Sequence, residues 1–441
     1  MKTWKIIVRI LVMVFVVLPA AAIIAVQIPT VQTAVVGKVT DRLSRELDGE
    51  VHVGKVLISF PNNVILKDVD VIQAPGDTVA HLGKLLVNVK TSSLLFSKDA
   101  NIRRLSLENG RVAIRHINDS TTNLSALLAP LMNRPKKENP AGLPWDDIRA
   151  NRLTVKNVDF IFDSLHLQDI NLSVRNIHYG KDASSARIDN LSLREENRGL
   201  NLHELGGFVT LDSTGIQVRD LRAVDDHSNI KGNVNLGFSD FSDFSDFMNK
   251  IAIDAELQDS FFDTETLAPL LRGRIPTAGL WLDGRVRGTV SDLKSDMLHV
   301  ESASQETSLD LRFRIRGLPD TEHAHIYAEV LRSSTKTSDL ADIIAGLSPG
   351  FNKASISRLA PGERISLTAK AEGMLADLKA TGTLQTESMG SAVFDATLGS
   401  SKKGFRFDGT ASTESLQLGR ILGNKNLGGL TCQTDLTFSS D

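Results

Sequence analysis

Leu105-Ser-Leu-Glu-Asn-Gly-Arg-Val-Ala-Ile114 carries the reading of the fold. Aliphatic and polar side chains alternate on both sides of Asn109-Gly110, and period two is the repeat of a half-buried strand. Asn-Gly between two such runs is the strongest short-range hairpin signal, so a hairpin turn is predicted there. The same grammar extends both ways. Upstream stand Val51/Val53, Val64/Leu66, Val69/Val71 and Leu85/Val87/Val89, separated by the turn formers Pro61-Asn-Asn63 and Ala74-Pro-Gly-Asp77. Downstream it resumes at Leu153/Val155 and Val158/Phe160/Phe162, and recurs as far as Ile365/Leu367/Ala369 and Phe405/Phe407.

Strands this dense, with few helices between them, imply mainly antiparallel sheet with one apolar and one wet face. At roughly 15 residues per strand and turn, the chain makes on the order of 25 strands, too many for one flat sheet. It must curl, split or stack as an elongated solenoid. The expected fold class is therefore mainly β: an N-terminal transmembrane helix, then an elongated, curled antiparallel β-sheet forming a taco-like groove, with a few short helices. A stripe at Val31, Val35, Val39, Leu43 and Leu47 predicts a helix ended by Asp48-Gly49. Further short helices are predicted from Ser338 to Gly346 and from Leu416 to Leu422. The three-residue repeat from Phe238 to Phe247 suits a loop or 3-10 turn with phenylalanine anchors.

The N-terminus sets the compartment. Met1-Lys-Thr-Trp-Lys5 leads into an apolar run from Ile6 to Ile28, and between Ile10 and Val26 no side chain is charged or hydrogen-bonding. At ~1.5 Å per residue, ~23 residues give ~34 Å of helix, enough for a ~30 Å hydrocarbon core. Ile10, Val14, Leu18 and Ile24 lie within that span, and Trp4 belongs at the headgroups. Lys2 and Lys5 precede it and Arg9 lies at its N-terminal end, which leaves Met1 in the cytoplasm and the bulk outside. The expected arrangement is a single-pass anchor with the bulk of the chain exported. Ala20-Ala21-Ala22 offers a signal-peptide cleavage site, but Ile23-Ile-Ala-Val26 continues the apolar run and favours a retained anchor.

Composition excludes several classes. A net charge of −3 from 50 basic and 53 acidic residues gives no large basic field, so no nucleic-acid partner is expected. Aromatics make up 5%, with two tyrosines and three tryptophans, which argues against base stacking or a sugar-binding solenoid. The single cysteine, Cys432, forms no internal disulfide framework. Gly346-Leu-Ser-Pro-Gly350 matches a nucleophile elbow in letters, but Pro349 has no N–H to give an oxyanion. His323 and His325 could share a strand face, yet no third metal ligand is evident. Asp225-Asp-His227 reads as a polar turn, and Asp68/Asp70 as the wet face of a strand. No enzyme activity, metal or cofactor is expected.

What remains is the apolar face. It closes into an ordinary core, or it stays open as a concave track for acyl chains; alternation alone leaves both readings open. For the open track the candidate lipid-groove residues are Val64, Leu66, Leu85, Val87, Val89, Leu105 and Leu107.

Several stretches, in order, resemble the AsmA-like, TamB-type envelope proteins. The head carries Val56-Leu-Ile-Ser-Phe, Leu66-Lys-Asp-Val-Asp-Val, Leu85-Leu-Val-Asn-Val, Leu94-Leu-Phe, Ile102-Arg-Arg-Leu-Ser-Leu-Glu-Asn-Gly-Arg-Val and Asn123-Leu-Ser-Ala-Leu127. The body carries Ile315-Arg-Gly-Leu-Pro-Asp320, Ser338-Asp-Leu-Ala-Asp-Ile-Ile344, Gly382-Thr-Leu-Gln-Thr386 and Leu416-Gln-Leu-Gly-Arg-Ile-Leu422. The resemblance implies an anchor at residues 1–29 in the inner membrane, with the bulk of the chain in the periplasm: a β-rich head with a leading helix at 30–129, a Pro-rich linker or insertion at 130–147, and an extended periplasmic β-groove at 148–441. It implies a conduit for phospholipid acyl chains from the inner membrane toward the outer membrane. The alternative it allows is an assembly factor for outer-membrane β-barrel proteins. Family members run on to a module that meets an outer-membrane barrel partner of the TamA type. This chain stops at Thr437-Phe-Ser-Ser-Asp441, so it is expected to be a C-terminally truncated piece or a shorter relative.

Overall fold

A computed structural model describes residues 47–59, 63–73, 76–89, 99–118, 121–132, 147–180, 182–197, 199–267, 279–320, 323–347, 362–374, 377–401, 404–421 and 426–439, with Gly37, Thr40 and Ser44. The protein is mainly β, with a few short helices. Its chain divides into two compact units, Met1–Thr210 and Leu211–Asp441.

The first unit contains β1 (Gly49–Ser59), β2 (Asn63–Gln73), β3 (Asp77–Val89) and β4 (Asp99–Ile114). A two-stranded ribbon of β5 (His116–Asn118) and β6 (Thr121–Thr122) leads into helix α1 (Asn123–Met132). Then come β7 (Asp147–Phe162), β8 (Leu165–Gly180), β9 (Ala183–Glu195) and β10 (Leu200–Asp212), which carries the chain onward. From β1 to β9 each strand of the main sheet pairs with the next, antiparallel except where β7 joins β4 in parallel. That one parallel pair departs from the antiparallel expectation. A parallel neighbour requires the chain to return to its starting side, and α1 belongs to the crossover that does so.

The predicted hairpin at Asn109-Gly110 does not form. Both residues lie inside β4, whose pairing with β7 continues from Glu108 through Gly110 to Ile114. Asn109 instead adopts a positive φ of 54° within the strand. Asparagine is among the few non-glycine residues that enter this region readily. Asn109 belongs to a transverse line. Gly54, Asp68, Gly83, Asn109 and Asn157 fall at one level across β1, β2, β3, β4 and β7, each skipped by the pairing, between paired residues on either side. Asp68 and Asn157 have φ of 52° and 51°. Asn157 Nδ2 donates to Asn109 Oδ1 at 2.9 Å, and its backbone N–H donates to Asn171 Oδ1 at 3.1 Å. Gly83 makes room for the line, because a Cβ there would lie 2.9 Å from the Asn109 carbonyl oxygen.

The second unit runs β11 (Gly215–Val224), β12 (Asn229–Gly237), a 3-10 helix (Phe241–Asp246), α2 (Phe247–Lys250) and β13 (Ala252–Asp263). It continues with a 3-10 turn (Thr264–Leu267), β14 (Gly279–Thr289), β15 (Asp292–Ser302), β16 (Thr307–Arg316), β17 (His325–Lys336) and α3 (Thr337–Leu347). Last are β18 (Arg364–Met374), β19 (Asp377–Thr386), β20 (Ser391–Ser401), β21 (Gly404–Gln417), α4 (Leu418–Ile421) and β22 (Gly429–Ser439). Successive strands pair antiparallel throughout, in chain order. Register slips recur at one level in β11 to β17, between Val218/Leu221, Leu257/Ser260, Gly284/Arg287 and Ser295/Leu298 among others. Bulges bend a strand and increase its twist, so these strands are bent at a common level.

Helical turns follow β13, β17 and β21, every fourth strand and hence at the same end of the sheet. The phenylalanine repeat forms the 3-10 helix that its three-residue spacing predicts. Asp240 caps it by accepting from Ser242 N–H, and Phe238 and Phe244 meet edge to face at 5.2 Å. The predicted anchor, with Trp4, Ile10, Val14, Leu18 and Ile24, lies outside the described residues. Among those described, no helix is long and apolar enough to cross a membrane. Of the predicted helix over residues 31–47, Gly37, Thr40 and Ser44 are described and helical, and Ser44 Oγ accepts from Val51 N–H at 3.0 Å.

Candidate functional site

Alternation along each strand and register between strands assemble the predicted apolar residues into two rows on one face of the first unit. In one row Val56 lies opposite Leu66, Leu66 opposite Leu85, and Leu85 opposite Leu107. It continues from Leu107 through Val155 and Leu172 to Leu191. In the other, Val64 lies opposite Val87, Val87 opposite Leu105, and Leu105 beside Leu153. It continues through Val174 to Ile188. Every position in both rows is valine, leucine or isoleucine. The structure therefore brings Val64, Leu66, Leu85, Val87, Leu105 and Leu107 together. Val89 pairs through its backbone with Ile102, and its side chain lies outside the described residues.

These rows are not a closed core. Val56 and Val174 are buried, but Leu66, Leu85, Leu107, Val64, Val87 and Leu105 are only half-buried. In a filled interior such side chains are covered on every side. Here the aliphatic surface keeps a partly open side.

A third apolar row lies in the second unit, on strands that alternation predicts but outside the groove residues named from the sequence. Ile216, Leu236 and Ile253 stand opposite one another on β11, β12 and β13. The row passes Gly288 and runs through Leu293, Ile315 and Ile326. Beside it, Ala328, Ala371, Ala380 and Ala396 form a parallel row of small side chains. The signal was present as period-two alternation. Alanine and glycine at alternate positions weakened it, since neither marks a strand by composition.

The opposite face holds most of the charged side chains, with Leu57, Ile65 and Leu86 as an aliphatic stretch on it in the first unit. In the second unit it carries cross-strand pairs of opposite sign: Arg285 with Asp254, Arg314 with Asp292 at 2.6 Å, and Arg312 with Glu329 at 2.8 Å. In the first, Lys84 donates to Glu108 at 2.9 Å, which holds that carboxyl below its ordinary range. Arg175 donates to Asp189 at 2.5 Å with the same effect.

The candidate chemical groups disperse. His323 sits in a turn with its Nδ1 2.8 Å from Asp320 Oδ2, while β17 begins at His325, so the two imidazoles do not share a strand face as predicted. The intervening turn breaks the alternation. Asp225 accepts from the backbone N–H of His227 at 2.8 Å and of Ser228 at 2.6 Å, a side-chain-closed turn. Asp68 belongs to the positive-φ line, and Asp70 faces His81 at 2.6 Å. Residues 348–350 of the serine motif lie outside the described residues. Among those described, no group of three or more potential ligands is placed to hold a metal ion.

His299 stands between two carboxylates. Its Nδ1 lies 2.8 Å from Asp310 Oδ1 and its Nε2 lies 3.2 Å from Glu301 Oε1; hydrogen bonding first to Asp310, then to Glu301, raises its pKa. A histidine with a raised folded pKa adds stability below its unfolded pKa near ~6.5, and that stability is lost as pH rises through the folded value. NMR titration is expected to place His299 above ~6.5, and Asp310→Asn to lower it. Unchanged titration in that variant would show that the contact does not govern the charge.

Comparison with protein-family models, curated proteins and solved structures found no match.

Proposed function

We propose that this protein is a membrane-anchored, non-enzymatic envelope protein that holds phospholipid acyl chains along its aliphatic face and conducts them toward the outer membrane. The observation that carries the reading is the pair of uninterrupted valine, leucine and isoleucine rows, half-open on the first unit. A lipid moving along such a track keeps its tails out of water, at ~0.8 kcal/mol per methylene. Within the second unit the aligned bulges bend the strands at a common level, which supports a curled sheet there. The resemblance to AsmA-like and TamB-type proteins supports the same role, with a TamA-type barrel as the partner at the far membrane.

Full-length protein should be purified gently and its bound lipid extracted for mass spectrometry. Phospholipid is expected to co-purify with the chain. Val87→Asp with Leu107→Asp, two residues from adjacent rows, is expected to reduce that lipid by about tenfold, because charge replaces apolar contact in the track. A folded variant that retains its lipid would sink the groove reading. The rival reading is an assembly factor that pairs nascent outer-membrane strands along a free sheet edge. It predicts full assembly activity in the same variant.

A further inference from the structure

The polar face of the first unit carries a strip in which cations outnumber carboxylates, and this local asymmetry is invisible in the net charge. On the face opposite the aliphatic rows, Lys55, Lys67 and Lys84 stand directly across from one another on β1, β2 and β3. Their row continues through Glu108 to Lys156. Beyond an intervening row of Leu57, Ile65, Leu86, Ser106 and Thr154, Arg152, Arg175 and Arg187 are directly opposite one another on β7, β8 and β9. Arg104 on β4 joins them, one residue before Leu105, whose partner Leu153 follows Arg152. Lys55, Lys67, Lys156 and all four arginines are exposed. Glu108 stands in the lysine row, and Asp189 is the carboxylate that Arg175 holds.

Like charges directly opposite on neighbouring strands repel. The second unit avoids this by pairing Arg314 with Asp292 and Arg312 with Glu329. In the first unit Lys55, Lys67 and Lys84, and again Arg152, Arg175 and Arg187, stand on successive strands ~4.8 Å apart, with Glu108 and Asp189 as the carboxylates among them. Such a row suits a surface of opposite sign, whose charge removes the repulsion.

We infer that this cationic face docks the first unit onto the anionic surface of a phospholipid bilayer. The inference rests on the membrane-anchored reading proposed above. The apolar run ends at Ile28, and β1 begins at Gly49. About 20 residues span at most ~70 Å when extended, so the unit stays within reach of the bilayer that holds the anchor. Nothing comparable tethers the chain to a nucleic acid.

The test uses the full chain reconstituted into vesicles of phosphatidylcholine alone or with one-third phosphatidylglycerol. Lysine accessibility is read by acetylation with a water-soluble reagent and mass spectrometry. Lys55, Lys67 and Lys156 are expected to react about tenfold more slowly in the anionic vesicles, while Lys294 and Lys370 of the second unit stay unchanged. Roughly 0.5 M salt should abolish the protection, since screening then acts within a few ångströms. The combination Arg104→Gln, Arg152→Gln, Arg175→Gln and Arg187→Gln is expected to weaken the protection and leave co-purified phospholipid unaltered. Equal labelling in both vesicles would overturn the inference, as would protection by a short DNA duplex that anionic vesicles do not reproduce. Protection without co-purified lipid would separate the docking face, then upheld, from a failed groove.

Discussion

Asn123→Leu is expected to destabilise the first unit by about 3 kcal/mol, because it strands several buried partners at once. Asn123 is fully buried at the start of α1. Its Nδ2 donates to Asp77 Oδ2 at 2.8 Å and to the Ala113 carbonyl at 2.9 Å. Its Oδ1 accepts from the backbone N–H of Arg115 at 3.0 Å and of Leu124 at 2.8 Å. One amide thus joins the start of β3, the end of β4 and the first turn of the helix. Leucine has nearly the same size but satisfies none of these groups. Two turns' worth of packing depends on the junction, since buried Leu127 lies one turn along α1 and its carbonyl accepts from Asp48 N–H at 2.9 Å. Denaturant unfolding followed by hydrogen exchange of first-unit peptides is the measurement. A loss below about 1 kcal/mol, within the range of ordinary surface changes, would refute the clamp.

In the second unit, Gly232→Ala is expected to cost a similar amount, about 3 kcal/mol, and for a different reason. Gly232 has φ of 149°, and a Cβ there would lie 1.9 Å from the Glu256 carbonyl oxygen and 2.9 Å from its carbon. Those atoms are backbone of β13, paired with both neighbours, so they cannot move aside as a long side chain would. Gly232 also sits where β12 slips register against β11 and β13. Alanine must break that pairing or accept the overlap. Urea unfolding should show the loss, with exchange protection falling first in peptides from β12 and β13. Wild-type stability in Gly232→Ala would mean that the close approach relaxes freely.

Leu85, Val87, Leu105 and Leu107 show how far sequence pattern reaches. A strand has a side-chain period of two, so alternation alone determined that these residues share a face within each strand. The strand-rich class and the apolar character of that face followed from the same local rule. Asn123 was legible only as part of a motif, because nothing local distinguishes an asparagine that will join three elements from one on a turn. The 3-10 phenylalanine helix was readable because its signal, a three-residue spacing, is confined to ten residues.

Tertiary pairing decided the rest. Asn109-Gly110 has the letters of a hairpin turn, but β7 pairs with β4 on both sides of it, and the side chain of Asn157 holds Asn109 within the strand. Local preference for a turn lost to hydrogen bonds from a segment 48 residues away. The cationic face has the same origin. Lys55, Lys67, Lys84 and Lys156, like Arg104, Arg152, Arg175 and Arg187, are scattered through a chain of net charge −3, and only strand register collects them. Alternation is a property of adjacent residues and can be read along the chain. Register is set by hydrogen bonds between residues far apart in sequence, so which rows form across the sheet was decided only when the strands paired.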